Sequence, residues 1–138
     1  MKEKILVSAC LLGVNCKYNG GNNYSDEVME FLHDYEIIPI CPEIMGGLPT
    51  PRPASEINDN KVINVNKEDV TNNFKKGAEE TLKLAKLLGV KKALLKQKSP
   101  SCGSGKIYDG TFSGTIIDGD GITARLLKEN DIEVLTIK

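Results

Sequence analysis

The chain has 138 residues, 40% of them hydrophobic and 27% charged, and its 18 basic and 19 acidic side chains give a net charge of -1. That length suits one domain with a real core, and the ordinary composition excludes disordered and fibrous classes. No apolar run reaches membrane-spanning length, and the lysines are spread rather than massed, which argues against nucleic acid as a partner. Met1-Lys2-Glu3-Lys4 runs directly into Ile5-Leu6-Val7, too short and wrongly flanked for a signal peptide, so a cytoplasmic location is expected. In that reducing compartment the four cysteines are expected to be thiols, metal ligands or catalytic groups rather than disulfides.

Lys4 to Ser8 reads as a short buried strand, with Cys10 just beyond it in a loop rich in glycine and asparagine (Gly13, Asn15, Asn19 to Asn23). Ser25 is an N-cap, and Asp26 and Glu27 complement the dipole of a helix running to about Tyr35. Glu36 to Cys41 is a second β-branched run, disturbed by Pro39. Leu48-Pro49-Thr50-Pro51-Arg52-Pro53 predicts a stiff loop. Val62 to Val65 reads as a third strand, followed by a helix over Glu68 to Leu88. Val70, Phe74, Ala78, Thr81, Ala85 and Leu88 recur there at helical spacing, and Gly89 closes it. Ala93-Leu94-Leu95 is the next buried strand, leading to Ser99-Pro100-Ser101-Cys102-Gly103. After a turn-rich stretch containing Asp109-Gly110 and Asp118-Gly119-Asp120-Gly121, a helix over Ile122 to Asn130 and a strand over Ile132 to Ile137 complete the pattern.

Strands alternating with helices imply a single Rossmann-like α/β domain over residues 1–138, its mainly parallel sheet flanked by helices. Ligands bind such sheets in the crevice at the carboxyl ends of the strands. Cys10, Cys41 and Cys102 each follow or end a strand, so the three should converge on that edge. Three thiolates beside glycine or proline suit a soft metal, although buried cysteine is also a common small core residue. No Cys-x-x-Cys pair marks a zinc ribbon or a thioredoxin-type site.

Glu43 is either an acid beside such a metal or an exposed loop carboxylate. Ser99 and Ser101 either donate to a substrate or close a turn, and Arg52 either clamps an anion or pairs with an acid. His33, inside the first helix, is remote from every cysteine in sequence, which disfavours a Cys-His nucleophilic pair. Gly103-Ser104-Gly105-Lys106 fails as a phosphate loop, because Pro100 replaces the first glycine and Ile107 the serine or threonine. Asp118-Gly119-Asp120-Gly121 lacks the continuation of a calcium loop and is explained by a turn with an N-cap.

Taken in order, Ser8-Ala9-Cys10-Leu11-Leu12-Gly13, Cys41-Pro42-Glu43, Gly46-Gly47-Leu48, Pro51-Arg52-Pro53 and Ser99-Pro100-Ser101-Cys102-Gly103 resemble the thiouracil desulfurase family. The resemblance runs from Lys4 almost to the C-terminus. Lys17-Tyr18-Asn19 and Ala54-Ser55-Glu56 depart from the family's usual Arg-Tyr-Asp and Pro-Ala-Glu. The resemblance implies a 4Fe-4S cluster on Cys10, Cys41 and Cys102 with one iron left open, while Cys16 is an additional cysteine near the site. It implies Glu43 as the catalytic acid group and a catalytic serine in Ser99-Pro100-Ser101, with Ser99 ahead of Ser101. The expected activity is non-redox removal of sulfur from a small thiolated base such as thiouracil, the open iron acting as a Lewis acid and Glu43 activating water. A metal-binding or sulfur-carrier protein without hydrolytic chemistry is the second reading, and a zinc-stabilised domain the third. Sequence leaves the oligomeric state open.

Overall fold

The computed structural model describes residues 2–137. Met1, which begins the N-terminal run weighed above as a signal peptide, and Lys138, the last residue of the expected domain, lie outside the described residues.

Strand β1 (Glu3–Ser8) is followed by a 3-10 turn over Ala9–Leu12, helix α1 (Asp26–Phe31), a second 3-10 turn over Leu32–Asp34, and strand β2 (Tyr35–Ile40). A short helix α2 (Pro42–Met45) then precedes a hairpin of β3 (Ser55–Asn58) and β4 (Lys61–Asn64). The long helix α3 (Thr71–Leu88) leads to β5 (Lys92–Lys96) and a second hairpin of β6 (Lys106–Tyr108) and β7 (Ile116–Asp118). Helix α4 (Ile122–Glu129) and strand β8 (Glu133–Ile137) complete the chain. No helix among the described residues is long and apolar enough to cross a membrane.

The main sheet has the order β2-β1-β5-β8 and every pairing in it is parallel, as the alternating pattern predicts. Alternation along each strand sends side chains to two cores. Leu6, Ala93 and Leu95 pack with Ala85 of α3 and with Ala124 and Leu127 of α4 on one face. Ile5, Val7 and Leu94 pack with Leu11, Val28 and Leu32 around α1 on the other. From β1 the chain runs outward to β2, then crosses back to place β5 on the opposite side of β1. That reversal opens a crevice at the carboxyl ends of β1 and β5.

Several boundaries differ from the expected ones for identifiable reasons. Ser25 does cap α1, its hydroxyl accepting from the Val28 N–H, but the α-helix stops at Phe31 and the last turn tightens to 3-10, so Tyr35 begins the strand. The expected third strand exists as β4 but pairs antiparallel with β3 and stays outside the main sheet. Helix α3 starts three residues late, at Thr71 after Glu68, while Gly89 caps it in the left-handed conformation as expected.

Helix α2 had no sequence expectation, yet it carries Glu43 and is N-capped by Cys41. A Cβ at Gly77 of α3 would fall 1.9 Å from the Pro42 carbonyl oxygen, and one at Gly46 would fall 2.0 Å from that of Asn73. The two backbones therefore touch across a pair of glycines, and the Asn73 amide donates to the Gly46 carbonyl at 2.9 Å.

Candidate active site

Each expected ligand is held by the turn that ends its strand. Cys10 lies in the 3-10 turn directly after β1. Cys41 is the extended N-cap residue of α2, followed by Pro42 in the first turn of that helix. Cys102 closes a tight turn after β5, in which the Ser99 hydroxyl accepts from the N–H groups of Ser101 and Cys102, both at 3.1 Å. The start of α4 braces this turn: a Cβ at Gly121 would sit 2.5 Å from the Ser101 carbonyl carbon. All three cysteines line one cavity of about 570 Å³, together with Cys16, Glu43, Ser99 and Ser101.

Cys10, Cys16, Cys41 and Cys102 are free thiols. Asn23 Nδ2 donates to Cys10 Sγ at 3.4 Å, and Ser8 Oγ donates to Cys102 Sγ at 3.3 Å. Ser101 Oγ adds a longer contact to Cys102 Sγ at 3.6 Å. Burial raises the Cys10 thiol above its ordinary pKa and pushes Cys102 up to about 12, against the opposing hydrogen bonds from Asn23 to Cys10 and from Ser8 and Ser101 to Cys102. Cys16 is likewise pushed up to about 12, by burial first and then by the neighbouring Cys41 and Cys10. Asn23 on Cys10, and Ser8 and Ser101 on Cys102, are donors of the kind that would stabilise a metal-bound thiolate.

Among the described residues no three His, Cys, Asp or Glu side chains gather tightly enough to hold a single metal ion. A polynuclear centre poses a different geometric demand, because each thiolate binds its own metal atom and the ligands surround a wider volume. Soft sulfur donors from three different turns lining a cavity this large fit that kind of group.

Glu43 is not an exposed loop carboxylate. Only 15% of its side chain is accessible, and Arg52, at 4%, forms an ion pair with it. Arg52 Nε donates to Glu43 Oε2 at 3.0 Å and Nη2 donates to the same oxygen. The alternatives left open for Arg52 thus resolve to a pairing with an acid, and that acid belongs to the cavity. Ser101 is buried, whereas Ser99 is half-buried, and their hydroxyls share a hydrogen bond of 2.9 Å. His33 is 85% exposed and does not line this cavity.

Sequence reasoning missed Lys96 and the aromatic rim. Lys96 ends β5 and lines the cavity half-buried, its ammonium donating to the Gln97 carbonyl at 3.2 Å. Burial lowers its pKa, with Cys10 pulling the other way. A lysine at the carboxyl end of a buried central strand was the available signal. Tyr18, Tyr108 and Phe112 also line the cavity, brought there by loops and a short hairpin that carry no periodicity.

The family model described as 2-thiouracil desulfurase matches residues 5–138. A Bacillus subtilis (strain 168) protein, YbbK, described as uncharacterized, is 41% identical over 142 residues, covering 96% of this chain and 94% of its own. A solved structure described as the 4Fe-4S-dependent thiouracil desulfidase TudS is 44% identical with a TM-score of 0.91, covering 98% of this chain and 91% of its own. With a match over nearly the whole length, a shared fold and cysteines converging on the sheet crevice, the chain belongs to the 2-thiouracil desulfurase family.

Proposed function

We propose that this protein is a 4Fe-4S-dependent desulfurase that converts a thiolated nucleobase such as 2-thiouracil into the oxygenated base and sulfide. Family membership supports the activity, and the relative TudS, itself described as 4Fe-4S-dependent, supports the cofactor. The observation that carries the reading onto these residues is the meeting of Cys10, Cys41, Cys102 and Glu43 in one cavity. Cys10, Cys41 and Cys102 are the proposed cluster ligands. When bound by these three cysteines, such a cluster would supply soft Lewis-acid chemistry suited to a thione sulfur.

The chain's own groups do the rest. Glu43 takes a proton from a water molecule as the water's oxygen adds to the thione carbon. The hydroxyl of Ser99, less buried than that of Ser101, orients the ring, and the Ser99–Ser101 hydrogen bond offers a path for a proton. Lys96 sets an ammonium near Cys10 and Cys102, and Tyr18, Tyr108 and Phe112 offer flat faces to a heterocycle. Water's oxygen ends on the ring carbon, and the sulfur leaves as sulfide with the protons released.

The partner is accordingly a small thiolated molecule, and a cytoplasmic, reducing location agrees with four free cysteines. The family match over residues 5–138 supports treating the chain as one functional domain. The cluster-loaded protein, incubated without oxygen with 2-thiouracil in isotopically labelled water, should release sulfide and uracil carrying the label. Absence of turnover with every thiolated base and nucleoside tried would contradict this function.

A further inference from the structure

Arg52 spends all five of its guanidinium N–H donors inside the protein. Two go to Glu43 Oε2, from Nε and Nη2. Nη1 gives one to the Pro49 carbonyl at 3.2 Å and one to Thr50 Oγ1 at 3.0 Å, and the second N–H of Nη2 goes to the Cys16 carbonyl at 2.9 Å. The backbone N–H of Arg52 donates to the Tyr18 carbonyl at 2.7 Å. The side chain is thus bolted to the loop after β1, to α2 and to its own proline-rich loop, and no donor remains to clamp an anionic substrate.

Both contacts with Glu43 fall on Oε2, and among the described residues no hydrogen bond engages Oε1. We propose that Arg52 is the positioning residue of the reaction: it fixes the Glu43 carboxylate by one oxygen and leaves the other free to take the proton of the attacking water. The planar fork is the requirement, because two donors converging on one oxygen while three others grip fixed carbonyl and hydroxyl groups define both the place and the rotation of the carboxylate. An ammonium in its place is a point charge with three donors on a flexible stem. It can neutralise Glu43 without setting its angle. The kinetic part of this inference rests on the desulfurase reading, whereas the structural part does not.

The test compares cluster-loaded wild type with Arg52→Lys and with Arg52→Gln, each checked for iron and acid-labile sulfide content and for a cooperative melt. Crystal structures of the variants should show the Glu43 carboxylate rotated or displaced while Cys10, Cys41 and Cys102 keep their places. With 2-thiouracil, kcat should fall roughly a hundredfold, the scale of a misplaced catalytic group, with KM little changed. The double variant Glu43→Gln with Arg52→Lys should lose no more than the worse single variant, because both act through one carboxylate. Glu43 unmoved in both variants, additive losses in the double variant, or loss of the cluster in step with activity would each overturn the proposal. The crystallographic outcome is read whether or not thiouracil is turned over. A failed desulfurase reading would therefore appear as an inactive wild type, separately from the fate of Arg52.

Discussion

Gly77 meets Pro42 backbone to backbone, and a Cβ at Gly77 would lie 1.9 Å from the Pro42 carbonyl oxygen. Pro42 sits between Cys41 and Glu43, so the spacing between α3 and α2 sets where a proposed ligand and the proposed base stand. Gly77→Ala should push α2 outward, costing about 1–3 kcal/mol as overpacking does, despite alanine's better helix propensity. Thermal unfolding should show the loss, and iron content after reconstitution should fall with it. A Gly77→Ala protein with wild-type stability and full iron would mean that α2 does not depend on this contact.

Cys10→Ala, Cys41→Ala and Cys102→Ala should each lose cluster and activity together, since each removes one thiolate from a set of three. Cys16→Ala should keep the cluster, although Cys16 shares the cavity. Visible absorption and iron counts distinguish the two behaviours. Retention in Cys41→Ala with loss in Cys16→Ala would reverse the assignment.

Removal of the Glu43 carboxylate should leave the cluster intact and lower turnover by roughly a hundredfold or more, the range of a lost general base. Iron content and thiouracil turnover, measured on the same Glu43→Ala preparation, check this. Normal turnover would remove Glu43 from the mechanism.

Ser8 ties two parts of the site together: its hydroxyl donates to Cys102 Sγ at 3.3 Å and accepts from the Lys96 N–H at 2.9 Å. A donor on a cluster thiolate favours the more reduced state, so Ser8→Ala should shift the cluster's reduction potential to a more negative value. Its loss also leaves the Lys96 N–H without this partner, which should cost about 1–3 kcal/mol of stability. Potentiometry followed by spectroscopy and a denaturant melt read the two effects separately.

The main sheet was legible because Ile5-Leu6-Val7 and Ala93-Leu94-Leu95 are short buried apolar runs, and their strand ends already placed Cys10 and Cys102 on one edge. Of the two hairpins only β4 was, through Val62 and Ile63. Ser55-Glu56-Ile57-Asn58 has one large apolar residue, and Ile116-Ile117-Asp118 is exposed throughout, so neither offers a buried face to a periodicity test. The Glu43–Arg52 pair spans nine positions across a proline-rich loop. No helical or strand repeat connects such residues, and only the folded path of the loop brings them together. Lys96 was hidden because a lysine bordering a strand reads first as a solvated end.

Metal analysis of protein prepared without oxygen tests the central claim most directly. Iron and acid-labile sulfide should each count to about four per chain, the composition of one 4Fe-4S cluster, and both should vanish in Cys102→Ala. Zinc bound in place of iron, with no sulfide, would contradict the assignment of Cys10, Cys41 and Cys102 as ligands of a catalytic cluster.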